Sequence, residues 1–239
     1  MSIWQRLGEF ATRISTTVRT GAATVVSAVR SAFGDDPELR RQVAFSVAMI
    51  ALSAKMAKAD GVVTQDEIRA FHEIFSAPDS ELRNVARLYE LAQADTAGFE
   101  SYAEQVARLC GSGRRNCAML EDILDGLFHI AKADGLLHER EGRFLCRIAE
   151  IFDISESHYR SILARHVDLG EADPYTVLGV PRGTPFDEVR RTYRKLVISN
   201  HPDRLIGRGM PEEFVAIATR RLAAINAAFE AVERELQTA

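Results

Sequence analysis

The sequence is notable first for what is missing. No window of about eighteen apolar residues occurs in the 239-residue chain, so no membrane-spanning helix is encoded. The three cysteines, Cys110, Cys117 and Cys146, are odd in number and form no C-x-x-C pair. That spacing excludes a zinc ribbon and reads as free, mostly buried thiols in a reducing compartment. No stretch alternates apolar and polar residues over strand lengths, which removes sheets from the expected fold. H-E-x-x-H, a phosphate-cradling glycine loop and a serine or cysteine nucleophile motif are all absent, so the chain is not expected to be an enzyme. The first thirty residues are no secretory signal, because Arg13 and Arg19 interrupt any apolar core segment. The expected location is therefore the cytoplasm. A net charge of -4 argues against general nucleic-acid binding while leaving local basic faces open.

What is present is helical. With 46% hydrophobic and 27% charged residues, the chain suits an ordinary soluble protein of one large or two small domains. Residues 1–34 form an amphipathic segment in which Ile3, Leu7, Phe10, Ile14, Val18, Val25, Val29 and Phe33 recur at helical spacing. Trp4 and an excess of arginine suit a helix lying peripherally on the cytoplasmic face of an anionic membrane. The same pattern suits a helix docking on the rest of the protein, or on a second copy in a homodimer. Gly34-Asp35-Asp36-Pro37 marks a boundary, with Asp36 and Pro37 placed to open the next helix. From Glu38 to Ala59 the chain is apolar on nearly all sides and should be the centre of a bundle. Further helices are expected at about 64–75, 79–93, 97–110, 116–133, 138–152 and 155–166, with glycine or proline at the joints.

A repeat lies inside this region. Ala57-Lys58-Ala59-Asp60-Gly61 and the closing Glu67 recur, at a constant offset of 74, as Ala131-Lys132-Ala133-Asp134-Gly135 and Glu141. Each copy reads as a helix ending at Asp-Gly, two apolar residues turning inward, and a new helix. Thr64-x-x-Glu67 has the form of a capping box. Two facing hairpins would give a pseudo-symmetric bundle with carboxylates at related corners. Asp-Gly with Glu six residues on is half of an EF-hand loop, but the other half offers Met56 and Lys58, or Ile130 and Lys132, as ligands. An ordinary EF-hand is thereby excluded. A divalent-metal site shared by Asp60, Glu67, Asp134 and Glu141 stays open beside the plainer reading, in which Asp and Glu cap helices without any ion. The duplicated motif in an all-α segment resembles the TerB-type domain named for tellurite-resistance proteins. The resemblance covers roughly residues 38–166 of an expected 35–168 domain. It implies a compact helical bundle with acidic corners, sometimes proposed to bind metal, and no reaction.

After a short linker comes a second, smaller unit, expected over 173–239. Pro174 opens and Gly179 closes a short helix. Thr184 is placed to cap the next, with Pro185 as its first residue and Val189, Tyr193, Leu196 and Val197 as its buried face. Arg190, Arg191, Arg194 and Lys195 make a neighbouring basic face. The helix runs into Asn200-His201-Pro202-Asp203-Arg204, a bend that proline prevents from continuing as helix. A long helix from about Glu212 to Leu236 then carries an apolar stripe of Phe214, Ile217, Leu222, Ile225 and Phe229.

Four blocks in this order, Tyr175-x-x-Leu178-Gly179-Val180, Tyr193-Arg194-Lys195-Leu196, His201-Pro202-Asp203 and Ile225-Asn226-x-Ala228-Phe229-Glu230, resemble the J domain of the DnaJ family. A J domain behind a TerB-like domain resembles the DjlA-type branch, without the N-terminal membrane span expected there. The resemblance implies a co-chaperone that binds a DnaK-type heat-shock chaperone and stimulates its ATPase. It places the contact on His201, Pro202, Asp203, Arg190, Arg191, Arg194, Lys195, Asn200 and Arg204. No cofactor is implied beyond the metal left open above. The alternative is a metal-binding, stress-response scaffold or sensor whose J domain is secondary. No Gly/Phe-rich stretch or cysteine-rich zinc module accompanies the J domain, which favours a specialised role, targeted by the TerB-like domain toward some client, over broad substrate holding.

Overall fold

Every residue from Val43 to Ala57 is buried. They lie on helix α1 (Pro37–Asp60) of a computed structural model, which describes residues 37–60, 65–74, 82–94, 98–108, 116–166, 172–207 and 214–237. A helix apolar on all sides has no face to give to water, and among the described residues this one shares a bundle core with the six that follow it. They are α2 (Gln65–Ile74), α3 (Leu82–Ala94), α4 (Phe99–Ala107), α5 (Ala118–Ala131), α6 (Glu139–Ile151) and α7 (Glu156–Arg165). Large side chains such as Phe45, Met49, Leu52 and Met56 are fully enclosed, each contributing roughly 1.5–3 kcal/mol relative to exposure. Even Lys55 is buried, its ammonium 5.0 Å from the centre of the Tyr102 ring, where the π face offsets its desolvation.

The repeat extends further than its motif. α2 and α6 begin 74 residues apart, and so do α3 and α7. α1 packs on α6 as α5 packs on α2, and α1 and α5 pack on each other, so the two hairpins meet reciprocally. Among the described residues there is no strand, and no helix is long and apolar enough to cross a membrane. The amphipathic segment 1–34 and the cap Thr64 lie outside the described residues.

The C-terminal unit comprises α8 (Pro174–Leu178), α9 (Phe186–Ser199), α10 (Pro202–Ile206) and α11 (Val215–Gln237). Asp173 caps α8 by accepting from the Thr176 N–H at 3.0 Å, and Gly179 ends it at φ +70°, a conformation glycine adopts without steric cost. Tyr175, Leu178, Val189, Ile225 and Val232 form a small core. The Tyr193 ring stacks on Phe229 with centroids 4.0 Å apart, and its hydroxyl donates to Asn226 Oδ1 at 3.0 Å.

Three expectations need correction. Pro185, not Thr184, is the N-cap of α9: its extended ψ of 139° leaves it outside the helix, and the Thr184 hydroxyl is spent on the Pro181 carbonyl at 2.7 Å. The segment after Asp203 is not bare loop, since Pro202 opens the short helix α10. The cysteines are not three buried free thiols: Cys146 is free but exposed, and Cys117 is disulfide-bonded. Cys146 faces outward because α6 buries Phe144, Leu145 and Ile148 instead.

The apolar stripe of α11 serves two cores. Ile225 belongs to the small one, whereas Phe214, Ile217 and Ala218 enter the core of the bundle together with Leu205 of α10. Phe214 meets Phe45 of the central helix edge-on, with centroids 4.6 Å apart. The two units are thus joined by shared core.

Candidate functional site

The bend between α9 and α10 is built by its proline. His201 takes the extended conformation (φ −65°, ψ 132°) favoured before proline, and Pro202 supplies the first residue of α10, where no N–H is required. The His201 carbonyl accepts from the N–H groups of Arg204 and Leu205 at 2.9 and 3.2 Å. Its Nδ1 accepts from the Asp203 N–H at 3.3 Å and lies 3.6 Å from Asp203 Oδ2. Both side chains point outward, 53% and 89% exposed, while Pro202 is half-buried and Arg204 exposed. The bend therefore presents an imidazole and a carboxylate on a scaffold that needs neither for its own burial.

Arg190, Arg191, Arg194 and Lys195 are all exposed along α9. Arg190 leans on Asp187 at 2.9 Å. Ile198, 58% exposed, adds a large apolar surface one helical turn beyond Arg194. The basic residues along α9, and His201, Asp203 and Arg204 of the bend that follows it, are thus all exposed, with Pro202 half-buried.

Asn200 departs from this group: it is buried and turned inward. Its Nδ2 donates to the Leu196 carbonyl at 2.8 Å and closes α9, and its Oδ1 accepts from Arg221 Nη1 at 3.0 Å. Arg221, on α11, is itself buried. The same guanidinium donates from Nη1 to Asp122 at 2.7 Å and from Nε to Asp125 at 3.0 Å, both on α5. His166 Nε2 lies 3.1 Å from the other oxygen of Asp125. Nearby, Arg165 donates to Glu121 at 3.3 Å, and His158 Nε2 lies 3.0 Å from the same Glu121 oxygen. A buried ionic network thus ties the residue before His201 to the centre of the bundle.

This network went unread in the sequence, although a signal was there. Asp122 and Asp125 stand three apart among Leu120, Ile123, Leu124 and Leu127, so two carboxylates share a helix that is otherwise almost wholly buried. Arg221 likewise interrupts the apolar stripe of α11. Buried charges of opposite sign on two helices call for pairing, but the sequence does not say which helices meet.

The carboxylates divide by surroundings. Burial pushes Asp122 up to about 6, with Arg221 opposing the rise. Burial would raise Asp125 as well, but the charges of Arg221 and His166 hold it well below the usual carboxylate range. Glu121, also penalised by burial, is brought down to about 2 by the His158 hydrogen bond and the Arg165 charge. Asp122 therefore binds its proton more tightly in the folded chain than in the unfolded one, whose ordinary value is 3.8. Its stabilising contribution is full below about pH 4, falls as pH rises to about 6, and stays lost above that. Asp122→Asn keeps an oxygen for Arg221 and has no charge to desolvate. At pH 7.5 the variant is expected to exceed the wild type by on the order of 2 kcal/mol, a gap that closes toward pH 4. Urea denaturation at pH 4.5, 6 and 7.5 reads it, and a gap independent of pH would refute the assignment.

At the second acidic corner, Asp134 Oδ1 accepts from the Leu136 N–H at 3.0 Å and Oδ2 lies 3.3 Å from His138 Nε2. Glu141, buried, accepts from the His138 N–H at 3.0 Å and caps α6. Both carboxylates are thus engaged in local turns. The side chains of Asp60 and Glu67 lie outside the described residues, and among the described residues no three His, Cys, Asp or Glu side chains gather as a metal ion would need.

Comparison with known proteins divides the chain at the linker before α8, although the bundle core draws on residues from both sides of it. The family described as Tellurite resistance protein TerB matches residues 46–164, and that described as DnaJ domain matches residues 173–235. A protein of Photobacterium profundum named Co-chaperone protein DjlA is 31% identical over 224 residues, covering 82% of this chain and 79% of its own. Proteins of the same name from Coxiella burnetii and Vibrio vulnificus are each 26% identical, covering 75% and 85% of this chain and 73% and 82% of theirs. No solved structure matches.

Proposed function

The chain belongs to the DjlA family of J-domain co-chaperones, and from that premise we propose that it binds a DnaK-type heat-shock chaperone through His201-Pro202-Asp203 and the basic face of α9, and stimulates its ATP hydrolysis. The observation that carries this reading is the exposed bend at the end of the basic helix, with His201 and Asp203 both free to meet a partner. Arg191, Arg194 and Lys195 steer an acidic partner surface and fix its register, and Ile198 adds an apolar contact. Asp203 pairs with an arginine of the partner. The chain performs no chemistry in this reading. It biases the conformational equilibrium of another protein's ATPase cycle. It acts in the cytoplasm, and the TerB bundle selects where or on which client it acts.

Steady-state ATP hydrolysis by a DnaK-type chaperone, with and without the full chain, tests the proposal. Absence of stimulation would sink it. The triple variant Arg191→Ala/Arg194→Ala/Lys195→Ala is expected to raise the half-saturating concentration about tenfold, equivalent to about 1.4 kcal/mol, with little change at saturation. Added salt should shrink the difference, because exposed charges are screened. An unchanged half-saturation would remove the basic face from the contact.

A further inference from the structure

The bend is exposed, but both of its flanks are buried against the bundle. On one side, the Asn200 side chain is gripped at both ends, by the Leu196 carbonyl at 2.8 Å and by Arg221 at 3.0 Å. On the other, Leu205 is fully buried and belongs to the bundle's core, with Phe214, Ile217 and Ala218 following it in. Only His201, Pro202, Asp203 and Arg204 stand between these anchors. Arg221 is in turn fixed by Asp122 and Asp125, which are 4% and 1% exposed and belong to α5, a helix of the TerB unit. The guanidinium reaches these three oxygens from two separate nitrogens, Nη1 and Nε, whereas a lysine ammonium would have to reach all of them from one.

We infer that Asn200 and Arg221 are positioning residues: the TerB bundle, acting through them, holds the His-Pro-Asp bend in one orientation instead of leaving it on a mobile, independently tethered J domain. The bundle is then part of the stimulating device as well as a targeting module. A loop pre-ordered before encounter loses less conformational entropy on binding, and its polar groups meet the partner already aligned. The functional part of this inference rests on the chaperone reading above, whereas the structural part does not.

The test uses the full chain with Asn200→Ala, Arg221→Lys and the double variant. Asn200→Ala removes the grip without touching an ion pair, and Arg221→Lys keeps the charge between the aspartates but loses the fork. The first readout is amide hydrogen exchange at Arg204, Leu205 and Gly207, whose N–H groups bond to the carbonyls of His201 and Asp203. Exchange there is expected to quicken at least tenfold in each single variant, with the amides around Ile225 and Val232 unchanged. The second readout is chaperone ATPase. Stimulation at saturation is expected to fall about threefold while the half-saturating concentration stays within twofold, and the double variant should be no worse than the poorer single one, since both break one linkage. Unchanged exchange at the three amides overturns the inference, as does a double variant whose loss is the product of the two singles. If the wild-type chain fails to stimulate at all, the proposed function falls, and the exchange measurement still decides whether the bundle holds the bend.

Discussion

Replacing Arg221 with Met is expected to cost the folded chain about 3–5 kcal/mol, the range for breaking a buried ion pair on one side only. Methionine roughly fills the space of the arginine stem, so cavity formation is a small part of the loss. The larger part is electrostatic. Asp122 and Asp125 would face each other in a water-excluded site with no cation between them, and Asn200 Oδ1 would lose its donor. The cost should be greatest at neutral pH and shrink below about pH 4, where protonation removes the carboxylate charges at the expense of Asp125's normally low value. Urea denaturation followed by far-ultraviolet circular dichroism gives the number. A companion variant sharpens the reading: Asp122→Leu/Asp125→Leu/Arg221→Met removes Arg221 together with both aspartates it pairs with, and should recover most of the loss because neither carboxylate is left facing the site of a lost cation. Equal destabilisation of both variants would mean that shape, not charge, is what Arg221 contributes.

The helices were legible in the sequence, and the joining of the two units was not. α1 announces its central position because its apolar residues leave no polar side, and the recurrence of Ala-Lys-Ala-Asp-Gly exposes the duplicated hairpin. The bend was legible because proline acts locally: it dictates the conformation of His201 and the start of α10 whatever else is nearby. What periodicity cannot carry is the partner of a face. Phe214 just before α11, and Ile217 and Ile225 on it, follow one apolar pattern that reads as a single core, yet the first two belong to the bundle and the third to the small unit. Asn200 was misplaced for a related reason. Adjacent to exposed His201 in sequence, it shares the bend but points the other way, since one residue's rotation past the end of a helix is enough to exchange solvent for interior. Arg221 was invisible because an arginine in an apolar stripe is ordinary at a surface, and only the meeting of α11 with α5 makes it a buried ion.

His201→Gln is expected to reduce stimulation of a DnaK-type ATPase to less than a tenth while leaving the fold intact, and the contrast with Arg221 is what gives the result its meaning. The imidazole is more than half exposed. Its main-chain role, accepting from Arg204 and Leu205, belongs to the carbonyl and survives the substitution. Glutamine is polar and similar in length, and the cap it would disturb, His201 Nδ1 accepting from the Asp203 N–H, is a long one at 3.3 Å, so the stability change should stay within about 1 kcal/mol. A loss of stimulation without a loss of stability then has one source, the group presented to the partner. Glutamine cannot offer a rigid planar ring with two nitrogens at fixed angles, whereas Asp203→Asn keeps the shape of the neighbouring side chain and removes only its charge. The asparagine variant should therefore also lose most stimulation if Asp203 pairs with an arginine, and the wild-type response should weaken with salt more steeply than the variant's remnant. ATP hydrolysis under single-turnover conditions, with melting curves on the same preparations, separates the cases. Full stimulation by His201→Gln would move the contact off the bend, and a melting shift of many degrees would move His201 from the partner surface into the fold.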